Sequence, residues 1–169
     1  MTDERRFGLD GEEHSPEPLR YTQCGLDDVY LVNGFSREET DYGPATSIHN
    51  VDGLHRVIGL HIVSHKKTLS AKEMKFLRRQ MNFTQEELGN AMGITDQTIA
   101  RYEKDVAPVS GPVNKLIRII YAYHLLPQEA QQEVLDRLAE LQKSDDTMPD
   151  HAAYFGARED TWEEAPMAA

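Results

Sequence analysis

Two helix-start signals and one glycine, all between Ser70 and Lys104, constrain this chain more than anything else in it. Ser70-Ala-Lys-Glu73 and Thr84-Gln-Glu-Glu87 each set a hydroxyl three residues ahead of a carboxylate. In such a capping box the hydroxyl accepts from an orphan amide of the first turn, and the carboxylate reaches back to the cap's own N–H. After the first box, Met74, Leu77 and Met81 fall on one helical face, and Asn82-Phe83 interrupts the pattern. After the second, Leu88, Ala91 and Met92 form a short apolar side that stops at Gly93. Glycine takes the left-handed turn at little steric cost. Ile94 then reads as a buried plug, and Thr95 as the cap of a third helix running to about Lys104, with Ile99 and Tyr102 inward. Gly89 is small where the second and third helices must cross closely.

Two short helices joined by a tight glycine turn, the second rich in exposed polar residues, form a helix-turn-helix signature. The competing reading is a generic helical bundle with a chance glycine turn. Each constraint alone is weak; their coincidence over some twenty residues, in register with two capping boxes, favours the motif.

Charge sharpens the picture. The 169 residues carry a net charge of −11, which at first speaks against a polyanionic partner. Residues 1–65 hold 5 basic and 12 acidic side chains, residues 66–124 hold 10 and 6, and residues 125–169 hold 3 and 11. A basic segment is thus bracketed by two acidic ones, the pattern of an anion-binding module with acidic flanks. No run approaches the roughly 18–20 apolar residues of a membrane span, and the N-terminal stretch has no apolar core of a signal peptide. With Cys24 the only cysteine, an intrachain disulfide is excluded, which fits a reducing, cytoplasmic setting.

The flanks divide as follows. Residues 1–20, with Pro16 and Pro18, read as a disordered N-terminus. Residues 21–65 read as a small α+β unit suited to dimerisation or partner binding. It has a β-hairpin around Val29–Val32 and Thr46–Ile48, then a helix capped by Asp52 with Leu54, Val57, Ile58, Ile62 and Val63 inward. Residues 66–126 form the helix-turn-helix domain. Residues 127–143 form a C-terminal helix, begun by Pro127, with Ala130, Val134, Leu138 and Leu141 in one stripe. Residues 144–169 read as an acidic disordered tail, either solubilising or carrying a partner-binding motif built on Tyr154, Phe155 and Trp162. The expected class is therefore mainly α: a five-helix domain preceded by a hairpin-plus-helix unit, with disordered termini. His61 and His65 stand four apart, but no third ligand follows at a convincing spacing, so no metal and no cofactor are expected. No phosphate loop, nucleophile elbow or metalloprotease pattern occurs, so no catalytic residue is assigned and no enzyme is expected.

Phe76-Leu-Arg-Arg, Thr84-Gln-Glu-Glu-Leu-Gly and Gly93-Ile-Thr-Asp-Gln-Thr-Ile-Ala-Arg-Tyr-Glu-Lys104 together resemble the Cro/cI (XRE) family of helix-turn-helix DNA-binding domains. Ile99-Ala-Arg-Tyr-Glu-Lys104 followed by Lys115-Leu-Ile-Arg-Ile-Ile is similar to MqsA-type antitoxins, the DNA-binding halves of toxin–antitoxin pairs. Two departures stand out. Those antitoxins bind zinc through paired cysteines, and here Cys24 is single; the family usually closes its recognition helix with Glu-Lys-Gly, and here Asp105 follows Lys104.

The resemblance implies roles for particular residues. Thr84 and Gln85, at the start of the second helix, would meet a phosphate. Asp96, Gln97, Thr98 and Arg101 would face the major groove, while Thr95, which also caps the helix, and Lys104 would each approach a phosphate. Glutamine suits the N6/N7 edge of adenine, arginine suits guanine O6/N7, and an acid can accept from cytosine N4. Asp96 could equally serve only the helix dipole. Arg78 and Glu103 would form a structural ion pair. The implied protein is a dimeric, autorepressing transcriptional regulator on palindromic double-stranded DNA, with a toxin as further partner in the antitoxin reading. A phage-type or free-standing repressor without a toxin, and a protein-interaction module using the acidic aromatic tail, stand as alternatives.

Overall fold

The computed structural model describes residues 17–141, 143 and 152–166. They divide into two compact units: residues 17–23, 27–57 and 152–166 in the first, and residues 24–26, 58–141 and 143 in the second.

The first unit is built on a four-stranded sheet in the order β1-β2-β5-β6, from Leu19–Arg20, Val29–Leu31, Ala153–Arg158 and Thr161–Glu164. β1 runs antiparallel to β2, β2 parallel to β5, and β5 antiparallel to β6. Val29, Leu31, Ala153, Phe155, Ala157 and Trp162 are buried, the period-two pattern of a sheet with one covered face. Asn33 ties the ends of this sheet together. Its Nδ2 donates to the Ala157 carbonyl at 3.0 Å, and its Oδ1 accepts from the Ala157 amide. Trp162 Nε1 donates to the His49 carbonyl at 3.0 Å. Gly34 sits beneath that indole with φ +76°, and a Cβ there would lie 2.4 Å from the ring, so only glycine fits.

This arrangement corrects the reading of the chain's end. Residues 152–166, expected within a disordered tail, form two strands, and their aromatics fill the unit's own core. The local signal was dominated by acids, and one of the two strands that flank β5, β2, lies more than 120 residues earlier, beyond the reach of any local pattern. Leu19–Arg20, expected within the disordered N-terminus, is strand β1. The remaining residues of both expected disordered stretches, 1–16, 144–151 and 167–169, lie outside the described residues.

The hairpin also differs in its partners. β3 (Phe35–Thr40) pairs with β4 (Gly43–Ile48) in a separate two-stranded sheet, while Val29–Leu31 joins the larger one. Helix α1 (Val51–His65) follows. Asn50, not Asp52, supplies the side-chain bond at its start, with Oδ1 accepting from the Gly53 amide at 3.1 Å.

The second unit holds the C-terminal half of α1 with α2 (Ala71–Gln80), α3 (Gln85–Met92), α4 (Asp96–Glu103), α5 (Gly111–Leu125) and α6 (Gln128–Leu141). Six helices therefore stand among the described residues where a five-helix domain was expected, and residues 66–126 contain four of them. Ile58, Ile62, Val63, Met74, Leu77, Leu88, Ile99, Ile117, Tyr121 and Val134 make the core. α1 and α5 pack closely enough that a Cβ on Gly59 would overlap the Tyr121 hydroxyl. Ala91, expected on the apolar side of α3, is exposed, and Ile94, Tyr102, Leu116 and Ile120 are half-buried.

Arg118 is the buried charge that the sequence did not announce. It is 1% exposed and donates from Nη1 to the carbonyls of Ile62 (3.0 Å) and Val63 (3.1 Å), capping the last turn of α1. Asn114 accepts from its Nε at 2.7 Å and itself donates to Lys67 O. Burial pulls this guanidinium down to about 10, with Glu73 opposing the shift, so it stays charged at neutral pH. Lys66 and Glu73, both buried, pair at 3.5 Å beside it in the same unit. No described helix is long and apolar enough to cross a membrane.

Candidate nucleic-acid interface

Both capping boxes are formed. Ser70 Oγ accepts from the Glu73 amide at 3.2 Å while Glu73 Oε2 accepts from the Ser70 amide at 2.8 Å. Thr84 and Glu87 repeat the exchange at 3.1 and 2.7 Å. The bond from the Thr84 amide, with that of its side chain, holds the Glu87 carboxyl below the usual range. Because Thr84's hydroxyl is engaged as a cap, its remaining outward feature is the helix end itself.

The turn between α3 and α4 is made by Gly93 at φ 70°, ψ 29°. Ile94 N–H returns to the Gly89 carbonyl at 3.0 Å. A Cβ on Gly89 would stand 2.7 Å from the backbone oxygen of Ile94 and 3.2 Å from the Asp96 nitrogen. Backbone cannot rotate away, so the close crossing of α3 and α4 depends on this glycine. Thr95 caps α4, its Oγ1 accepting from the Thr98 amide at 3.2 Å and lying 2.9 Å from the Thr98 hydroxyl.

On α4 one side is core, with Ile99 fully buried; Asp96, Gln97, Arg101 and Lys104 are exposed and Thr98 is half-buried. Gln97 and Arg101, four apart, share a face. Among the described residues neither side chain enters a hydrogen bond or ion pair, so both present their donors to solvent. Asp96 lies in the first turn, where its charge also complements the helix dipole. The helix ends on Asp105 at φ 57°. Its amide donates to Tyr102 O (3.1 Å) and the Val106 amide to Arg101 O (3.0 Å), a left-handed cap in which aspartate takes the place of glycine.

Behind the helix pair, Arg78 forks onto Glu103: Nε meets Oε1 and Nη2 meets Oε2 at 2.9 Å. Its Nη1 donates to the Phe83 carbonyl at 2.7 Å, spanning the break between α2 and α3. Gln85 joins this cluster, its Nε2 donating to Glu103 Oε2 at 2.9 Å. A role for Gln85 as a free phosphate ligand is thereby narrowed, since one amide hydrogen is committed to Glu103. Burial pushes the Glu103 carboxyl up, but the bonds from Arg78 and Gln85 and the charges of Arg78 and Lys75 outweigh it, leaving it below the usual glutamate value. Neither Gln85's bond nor the Arg118 cap carried any signal in spacing, because both residue types are ordinarily solvated.

Lys72, Lys75, Lys104 and Lys115 are exposed. His61 and His65, considered as metal ligands on spacing, stack with ring centroids 5.0 Å apart.

No curated protein and no solved structure matches the chain. Residues 74–116, 43 of the 169 and running from α2 into α5, match the helix-turn-helix family model, so this segment of the second unit is a helix-turn-helix domain.

Proposed function

We propose that the protein is a sequence-specific DNA-binding transcriptional regulator whose α4 lies in the major groove. The observation that carries this reading is the state of Gln97 and Arg101. Both are exposed, share one face of a helix fixed by caps at each end, and keep their hydrogen-bonding groups uncommitted within the described chain. The groove, about 12 Å wide, admits one α-helix. Thr84, the helix end at Gln85, Thr95 and Lys104 supply the phosphate contacts that set register, while Asp96, Gln97, Thr98 and Arg101 address bases. One such domain covers a half-site of a few base pairs, so the working species is a homodimer on a palindrome. We read it as an autorepressor of the antitoxin type, with a toxin encoded beside it. A phage-type or free-standing repressor uses the same helix, and a small adjacent reading frame separates the two. The module in which tail aromatics capture a partner loses support, because Phe155 and Trp162 are spent on the first unit's core.

Binding of the full chain to the DNA upstream of its own reading frame, followed across salt concentrations, tests the proposal. Specific affinity falls with a slope of about 0.9 log units per phosphate contact. Affinity indifferent to salt and to sequence contradicts it.

A further inference from the structure

We infer that the outer edge of β3 is a docking site for an extended, cationic segment of another protein, which adds to the β3–β4 hairpin as a third strand. The inference goes beyond DNA binding and uses no residue of α4.

The register of the hairpin decides which backbone groups are free. The His49 amide donates to the Gly34 carbonyl at 2.9 Å, and the two residues stand opposite each other in the register that sets Phe35 against Ile48. Opposed residues of an antiparallel pair alternate between exchanging hydrogen bonds and turning their N–H and C=O groups outward. Ser36, Glu38 and Thr40 therefore bond across to β4, while Phe35, Arg37 and Glu39 point their amides and carbonyls away from it. None of these outward groups has a hydrogen-bond partner among the described residues. The β4 edge is different, because Pro44, opposite Glu39, has no N–H to offer. No residue from 35 to 48 is buried, and Tyr42 at the tip is fully exposed. A two-stranded hairpin is marginal in water, and a third strand is what such a pair lacks.

Charge selects the occupant. The Arg37 guanidinium lies over the Phe35 ring, 5.5 Å from its centroid. Glu38, Glu39 and Asp41 are exposed and enter no ion pair among the described residues. A second copy fits this edge poorly. Outward residues must meet outward residues, so the two antiparallel registers that overlap most of β3 oppose Arg37 to its own copy or Glu38 to its own copy. Like charges directly opposite destabilise a strand pair. Exposed charge is a common guard of a free edge against self-pairing. The same acids favour a strand that carries lysine or arginine opposite Glu39 and beside Glu38. In strand addition of this kind main-chain bonds supply affinity and alternate side chains supply choice.

The test pans a random octapeptide library on the full-length protein and follows the enriched peptides in solution. They should carry lysine or arginine at alternate positions. Reversing both charges, Glu38→Lys with Glu39→Lys, should weaken them about tenfold. On binding, amide exchange should slow at Phe35, Arg37 and Glu39, whereas Ser36, Glu38 and Thr40, already bonded across the hairpin, should change little. N-methyl groups on one alternate set of peptide amides should abolish binding and on the other set be tolerated, a readout that needs no variant of the protein. The inference is overturned if no peptide is enriched, if the enriched ones show no basic bias, or if the two N-methylated sets behave alike. It also falls if the free chain self-associates and the double reversal changes that association, since a second copy would then hold the edge. Enrichment of a duplex from a random-sequence pool by the same protein tests α4 separately, so the two readings fail independently.

Discussion

Glu103 receives two side chains from different helices, and the folded state of the candidate interface hangs on it. Arg78 of α2 forks onto the carboxylate and Gln85 of α3 adds a third bond, while Glu103 itself ends α4. Removing one partner of such a buried pair leaves the other charge uncompensated. Arg78→Ala should therefore destabilise the domain by about 3–5 kcal/mol, read as a drop in thermal midpoint and not as a change of DNA preference. The carboxyl is held below the ordinary glutamate value of 4.5. Its contribution is thus fully present above about pH 4.5 and is lost as the pH falls through the lower folded value. Glu103→Gln should flatten that part of the acid limb of a stability curve; an unchanged limb would place the acid sensitivity elsewhere. The pairing of Arg78 with Glu103 was legible through resemblance to a family. Gln85's share in it was not, because nothing in the spacing of a glutamine distinguishes a bonded amide from a solvated one.

Elements were legible in proportion to how local their causes are. The starts of α2 and α3 are written in hydroxyls and carboxylates three residues apart, that of α4 in the Thr95 hydroxyl, and the stop at Gly93 in one residue's tolerance of positive φ. Gly89 belongs to this scale. A Cβ there presses on the backbone of residues 94–96, so Gly89→Ala should force α3 and α4 apart at a cost of about 1–3 kcal/mol. Loss of DNA binding should accompany the lowered melting point, and an unperturbed melt would show that the crossing has slack. Strands fared otherwise. β5 is paired with β2 and buries Phe155 against a partner far off in sequence, and its neighbourhood of Glu159, Asp160, Glu163 and Glu164 reads as solvated tail. A hairpin was expected in this region and Thr46–Ile48 does belong to one, but Val29–Leu31 was assigned to it wrongly, since a short apolar strand does not announce its neighbour.

At the scale of the molecule, folding sorts the charge. Among the described residues the first unit carries 4 basic and 11 acidic side chains, and the second 12 and 10. Among the described residues, the acids of residues 17–57 and those of residues 152–166 come together in one unit through the pairing of β2 with β5, while Glu129, Glu133, Asp136 and Glu140 belong to the helical unit, which is still slightly basic. Truncation after Lys143 would therefore do more than remove acid. It deletes half of the four-stranded sheet, and should abolish the slow amide exchange of Val29–Leu31 while the helical signal persists. Retained protection at β2 would mean that the first unit stands without its last two strands. The central claim concerns the other unit, and binding by the full chain of its enriched duplex and of a scrambled one at fixed salt tests it most directly. With Gln97→Ala and Arg101→Ala, each variant should stay folded and lose about 1–3 kcal/mol of the difference between the two duplexes. If both variants discriminate as the parent does, α4 is not the surface that reads DNA.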